Sequence, residues 1–484
     1  MKQLLPSVMI FFATSIASYA DDTKDDDDRG QRPNIVLMYV DDLGYGDLES
    51  YGHPVIKTPN IDRLASQGLK MTAFYAPSPL CSPSRAALLT GRTPYRTGIQ
   101  SWIPQDTDAY LSEKEITIAT ALKQNGYQTA IVGKWHLNGG LDRDDQAQPI
   151  DHGFDHNYVL HAFPLPHQQN PTNFYANGKP IGEVKGFTAE IVVNESKRWL
   201  EARDPKAPFF LYMPFVEPHA TIHSPEKYLK QYAKYTSGKP VPVVNGQPSF
   251  PEGIEARGPG EYYANISHLD NQIGQFLEFI DQSGLADDTV VIFLSDNGPV
   301  TTNWRAWWEV NLYGDTGGYR GRKADLYEGG IRVPGIIRYQ KLIKPGTVSD
   351  QPVNGYDMFP TLLSILNIDP PTDRVIDGVD ISPMFRGNDI NREKPLFWAF
   401  PAADNAPNYV VQRGSWKLLA NSSQEPIALF NLKTDRLEMN NLLRQEQEVV
   451  KALHTEMLIY IADVKDDPLR PSWSVNWKYN TGKE

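Results

Sequence analysis

Apolar residues in this chain gather into short runs separated by turns and by amphipathic stretches. Residues 34–40 and 290–294 are almost unbroken apolar runs, and residues 129–133 and 209–213 are similar. Runs of this length and β-branched, aromatic character predict strands covered on both faces. Between them the period changes. Thr58 and Pro59 open a helical pattern with Asp62 in its first turn, and Ile266, Leu269, Ile273, Phe276, Leu277 and Ile280 share one helical face. Strands alternating with helices predict an α/β fold with a large, mixed but mostly parallel sheet sandwiched by helices. After a turn-rich connector at residues 370–373, residues 409–419 and 427–432 read as antiparallel strands and residues 445–464 as a helix. The expected organisation is a main domain at 31–370 and a smaller C-terminal α+β part, built on an antiparallel sheet, at 371–484.

The beginning of the chain departs from this pattern. Lys2 precedes an apolar run at residues 8–13, and Ser18 and Ala20 put small residues where a signal peptidase reads them. Residues 1–20 therefore predict an export signal, with an acidic linker at 21–30 around Asp25, Asp26, Asp27 and Asp28. The expected location is secreted or periplasmic, with no integral membrane segment once the signal is removed. The formal charge of -12 argues against a general binder of nucleic acid or of anionic membranes.

An exported protein with a single cysteine cannot use it for an internal disulfide. Cys81 is followed by Ser82, Pro83, Ser84 and Arg85, and then by Leu89, Thr90, Gly91 and Arg92. This run resembles the type I sulfatase signature, in which the cysteine is oxidised to formylglycine (3-oxoalanine). Further blocks resemble the family in order: Gly133 to Leu137, Glu217-Pro218-His219, Ser295 to Gly298, and Lys323 ahead of Tyr327 to Gly330. The stretches at 74–90 and 372–378 are most similar to the N-acetylgalactosamine-6-sulfatase and arylsulfatase A branch. The resemblance implies an alkaline-phosphatase-like fold and a sulfuric ester hydrolase acting through a formylglycine hydrate and a covalent sulfo-enzyme. It also implies a formylglycine-generating or sulfatase-maturing enzyme as a partner.

The chemistry accounts for such a set of residues. A sulfate monoester repels anionic nucleophiles, so a site must neutralise it, align an attacking oxygen and protonate the departing alcohol. Asp41 and Asp42 follow one predicted strand, and Asp296 and Asn297 follow another. Ligand sites of open α/β sheets lie beyond such strand ends, so the four can converge. Oxygen-only donors suit a hard cation, Ca²⁺ or Mg²⁺, and with residue 81 they are expected to hold one such ion, Ca²⁺. Arg85 should lie one turn beyond Cys81 on a helix opened by Pro83. Lys134 and Lys323 would face the sulfate oxygens. By resemblance, His136 takes the proton of the free hydroxyl, and His219 or Lys323 protonates the leaving alcohol.

The expected substrate is a sulfated carbohydrate, a glycosaminoglycan or algal polysaccharide fragment, with Tyr110, Trp304, Arg305 and Trp307 as candidate sugar contacts. Two other readings stand beside this one: a formylglycine-dependent phosphonate or phosphate ester hydrolase, and a catalytically silent glycan-binding homologue. A two-zinc phosphatase fits poorly, because Asn297 stands where such sites carry a histidine.

Overall fold

The computed structural model describes residues 32–236, 258–300, 310–401 and 407–471, together with the short strands Val243–Val244 and Gln247–Pro248. The proposed export signal, the acidic linker, and Trp304, Arg305 and Trp307 lie outside the described residues.

The four apolar runs form neighbouring parallel strands at the centre of a ten-stranded sheet: Gln128–Lys134, Phe209–Pro214, Asn34–Val40 and Thr289–Ser295, in that spatial order. His156–Leu160 continues the parallel series beyond Gln128–Lys134. On the other side Gly335–Arg338 pairs antiparallel to Thr289–Ser295, and Leu69–Met71 pairs antiparallel to Gly335–Arg338.

Strand geometry explains why these runs are apolar throughout. Successive side chains leave opposite faces, so a strand buried on both faces must be apolar at every position. Ile35, Leu37 and Tyr39 enter one core with Phe210, Tyr212, Ile292 and Leu294. Helices Cys81–Thr90, Ile118–Gln124 and Met358–Ile365 cover that face. Val36, Met38 and Val40 enter the opposite core with Leu211, Met213, Val291 and Phe293. There the covering helices are Pro59–Ser66, Thr188–Ala202 and Pro259–Gln282.

Toward the C-terminus, Leu396–Ala399, Tyr409–Arg413, Trp416–Ala420 and Pro426–Asn431 make a four-stranded antiparallel sheet. Val411, Leu418 and Leu429 pack under helix Gln447–Lys465 through Leu453, Met457 and Ile461. The other face, with Trp398, Val410, Leu419 and Phe430, packs on Tyr75, Leu80, Leu326 and Ile331 of the main body. The Trp398 indole N–H donates to Ala76 O at 2.8 Å. The antiparallel sheet therefore rests directly behind the turn that leads into Cys81.

Candidate active site

Each of the four central parallel strands delivers site residues at its carboxyl end. Asn34–Val40 is followed by Asp41 and Asp42, Thr289–Ser295 by Asp296 and Asn297, and Phe209–Pro214 by Glu217 and His219. Gln128–Lys134 ends on Lys134, two residues before His136. Lateral pairing of these strands in register converts four distant sequence positions into one cluster. Asp42 (φ 65°) and His136 (φ 57°) are held in the left-handed region, which non-glycine residues seldom adopt. Backbone held in that conformation just past a strand fits a site built where side chains must converge.

Cys81 begins its helix, with Leu80 extended at the cap. The helix starts two residues earlier than Pro83 suggests, and Pro83 sits within the first turn, where a missing N–H is harmless. Arg85 follows one turn later and is fully buried. Its guanidinium lies 2.7 Å from Asp296 Oδ2 and 3.5 Å from Asp41 Oδ2, and donates to Lys134 O at 3.3 Å.

The Cys81 sulfur lies 3.4 Å from Asp41 Oδ1 and 3.3 Å from the Lys323 ammonium. Lys134 also pairs with Asp41, and Lys323 with Asp42. Asn297 donates to Asp42 Oδ1 at 2.7 Å, and the Asp42 backbone N–H donates to Asp296 Oδ1 at 3.1 Å. Burial and then Asp41 push the Cys81 thiol up to about 12, so the encoded side chain is a neutral thiol at neutral pH.

Ligand atoms of Asp41, Asp42, Cys81 and Asp296 lie within 4.8 Å of one another. A further observation fits this set to a hard cation. Asp42 Oδ2 and Asn297 Oδ1 are buried with no hydrogen-bond donor, acceptors that a cation would satisfy. Burial opposes ionisation of both Asp41 and Asp296. At Asp41 the charges of Lys134, His219 and Arg85 overcome burial and hold the carboxyl well below its usual range. Asp296 is pushed up to about 7 by burial and by Asp41, against the pull of Arg85 and Lys134.

The two histidines are oriented differently. His136 Nε2 lies 3.1 Å from Ile103 O, which assigns the proton to Nε2 and leaves Nδ1 as an acceptor, buried and without a partner. His219 Nδ1 lies 2.7 Å from Ala220 O, which assigns its proton to Nδ1. Its Nε2 is 3.8 Å from Asp42 Oδ2. Burial and then Lys134 hold His136 well below the usual imidazole range, and burial lowers His219 to about 4 against the pull of Asp41 and Asp42.

The structure thus gathers Asp41, Asp42, Cys81, Arg85, Lys134, Asp296, Asn297, His219 and Lys323 by direct contacts, with His136 beside them on the Lys134 strand end. Tyr110 is half-buried among the described residues. Sequence reasoning passed over two supports, Ile103 and Tyr39. Trp102 lies with its ring 6.5 Å from that of His136, and Ile103 holds the His136 tautomer while donating its N–H to Ser82 Oγ at 3.0 Å. Tyr39 lies under the Arg85 guanidinium, 5.5 Å from ring centroid to Cζ. A tyrosine two residues before Asp41 on a strand was the available signal for that contact.

Residues 33–368 match the sulfatase family model, and residues 316–463 match the model described as N-sulphoglucosamine sulphohydrolase, C-terminal. Arylsulfatase A of Bos taurus is 32% identical over 452 residues, covering 86% of this chain and 84% of the relative. N-acetylgalactosamine-6-sulfatase of Canis lupus familiaris is 31% identical over 392 residues, covering 76% of this chain and 68% of the relative. Among solved structures, Ps i-CgsB in complex with k-i-k-neocarrahexaose superposes with a TM-score of 0.76 at 25% identity, covering 94% of this chain and 98% of that one.

Proposed function

This chain belongs to the sulfatase family and is a sulfuric ester hydrolase, and from that premise we propose that it desulfates a carbohydrate using residue 81 after oxidation of Cys81 to formylglycine. The observation that carries this reading is the position of Cys81: a helix start, against Asp41 and the Lys323 ammonium, among carboxylates from two strand ends. As formylglycine hydrate, residue 81 would supply two hydroxyls on one carbon, one to attack sulfur and one whose deprotonation expels sulfate.

Asp41, Asp42, Asp296 and Asn297, with residue 81, would hold Ca²⁺, whose charge would help to neutralise the sulfate. Arg85 fixes Asp296 and Asp41, and Lys134 and Lys323 bring ammonium groups to where sulfate oxygens would lie. His136 Nδ1, an acceptor with no partner, suits removal of a hydroxyl proton. For the leaving alcohol, Lys323 suits the task better than His219. The Nδ1 proton of His219 is engaged by Ala220 O, which leaves its Nε2 an acceptor, whereas Lys323 carries donors 3.3 Å from the position of the nucleophile.

A glycan substrate is supported by the N-acetylgalactosamine-6-sulfatase relative and by the neocarrahexaose-bound structural neighbour. It also fits the export signal read in residues 1–20, which would send the enzyme to where polymers are met. On this reading residues 31–370 form the catalytic domain and residues 371–484 its C-terminal companion. Peptide mass spectrometry of natively expressed protein tests the nucleophile, and turnover of sulfated oligosaccharides against an aryl sulfate and a phosphonate ester tests the substrate. We expect formylglycine at residue 81 and desulfation of at least one oligosaccharide. An active preparation carrying only alkylatable Cys81, or strong preference for the phosphonate ester, would overturn the respective half of the proposal.

A further inference from the structure

A second buried cluster of charges joins the C-terminal sheet to the loop that carries Lys323. Glu328, Lys417 and Glu438 are all 0% exposed. The Lys417 ammonium donates to Glu328 Oε1 at 2.8 Å and lies 2.9 Å from Glu438 Oε1. Glu328 Oε2 accepts from Tyr75 OH at 2.9 Å and pairs with Arg332 at 3.0 Å. Glu438 closes the cluster twice more. Its Oε2 accepts the Glu328 backbone N–H at 2.7 Å, and its carbonyl accepts from Arg320 at 3.0 Å. Two carboxylates are thereby balanced by two cations, Lys417 and Arg332, with no water-exposed member among the acids.

The loop held in this way is the one that aims Lys323. Gly329 N–H donates to Arg320 O at 2.7 Å, which folds residues 320–329 back on themselves. Lys323 N–H donates to Pro299 O at 2.9 Å, Gly298 N–H to Gly330 O at 2.9 Å, and Ala324 N–H to Pro79 O at 3.0 Å. The loop is therefore laced to the chain just after Asn297 and to the turn just before Cys81.

We propose that Lys417 and Glu438 are positioning residues that, through Glu328, set where the Lys323 ammonium stands relative to the nucleophile and to the Asp296–Asn297 strand end. The proposal rests on the sulfatase reading of that site, with Lys323 as the proton donor to the leaving alcohol. The Lys417 ammonium is held by Glu328 and Glu438, one loop away from Lys323. Its effect is transmitted through a short loop, and a displacement of about 1 Å at a catalytic group is enough to cost on the order of 100-fold in rate.

The leaving group supplies the discriminating measurement. A nitrophenolate departs without a proton, whereas a sugar alkoxide does not, so misplacing Lys323 should penalise a sugar sulfate far more than an aryl sulfate. Purified Lys417→Met, Lys417→Arg, Glu438→Gln and Lys323→Ala are each compared with wild type on both substrates, with turnover normalised to folded protein carrying formylglycine. We expect Lys323→Ala to slow both substrates and the sugar sulfate far more. Lys417→Met should repeat that selectivity with a loss of about 10- to 100-fold in kcat and little change in KM. Lys417→Arg should recover most of it. A Lys417→Met loss equal on both substrates marks a purely structural role and overturns the proposal. Should Lys417→Met fail to fold, Glu438→Gln decides, because an unchanged ratio between the two substrates in that variant equally overturns it. Absence of selectivity in Lys323→Ala itself would instead refute the donor assignment, and an inactive wild type the sulfatase reading.

Discussion

Gly298 offers a sharp test of how the site is held, because a methyl group there has no room. A Cβ at Gly298 would stand 2.0 Å from Gly329 O and 3.0 Å from Gly330 Cα. A comfortable carbon-to-oxygen approach is about 3.3 Å, so Gly298→Ala must part the two backbones by roughly 1.3 Å. One side of that gap continues from Asn297, which donates to Asp42 Oδ1 at 2.7 Å, and the other carries the loop of Lys323. A separation of this size should lower kcat by about 100-fold, equivalent to about 2.7 kcal/mol in the barrier, besides an overpacking cost of about 1–3 kcal/mol in stability. Gly68→Ala is the matched control, since its Cβ would meet Ile337 O at 2.2 Å. Gly68 precedes Leu69, which pairs with Ile337, itself paired with Ile292, three residues back from Ser295 on the same strand. Both variants should lose thermal stability, and only Gly298→Ala should lose turnover per folded molecule. Wild-type kcat in folded Gly298→Ala, or equal losses of kcat in the two, would refute the reasoning that this backbone approach sets the site.

Removal of divalent cations should abolish turnover and lower the unfolding temperature, with Ca²⁺ restoring both better than Zn²⁺. Saturation at about 100 times Kd adds about 2.7 kcal/mol, readable by calorimetry independently of activity, and an unfolding temperature indifferent to Ca²⁺ would contradict the site. His268, remote in sequence from the site, is lowered to about 4 by burial and then by Lys227. The unfolded chain protonates this side chain below about 6.5 while the folded protein resists until about 4, so stability should fall as pH drops through that window, by up to about 1.4 kcal/mol per pH unit. His268→Gln should make the slope shallower in melting curves taken from pH 4.5 to 7, with His136 and His219 supplying part of the remainder, and an unchanged slope removes His268 as a source.

The central strands were legible because burial on both faces demands an unbroken apolar run, and Asn34–Val40 and Thr289–Ser295 meet that demand almost without interruption. Their ends were legible for the converse reason, since charged pairs such as Asp41 and Asp42 directly after such runs need an explanation. The antiparallel side of the sheet was not. Leu69–Met71 and Gly335–Arg338 have 3 and 4 residues, too few to show a period among the flanking glycines and prolines. The His136 tautomer was hidden too, because it is set by a backbone carbonyl, Ile103 O, and carbonyls carry no sequence signal. Lys417 and Glu438 read as ordinary polar residues of a small sheet and its loop. Their partner Glu328 lies 89 and 110 positions away, and no local pattern reports a pairing across that distance.

The burial of so many charges at the strand ends makes sense only through function. Asp41, Asp42 and Asp296 face Arg85, Lys134 and Lys323, and all six are nearly inaccessible to water. Such burial is a poor source of stability, since the desolvation of paired ions commonly cancels their attraction. As drawn by these side chains alone, the cluster is neutral, with the Lys134 and Lys323 ammonium groups engaged by Asp41 and Asp42. A neutral pocket has little to offer a sulfate ester, whose negative charge would have to compete with those carboxylates for the lysines. A divalent cation among Asp41, Asp42, Asp296 and Asn297 would change the balance. It would satisfy the carboxylates, bring the cluster to a net charge of about +2, and leave the two ammonium groups to an anion. Equal numbers of acids and bases, wasteful in a site that bound only a metal or only a sulfate, would suit a site that holds both at once.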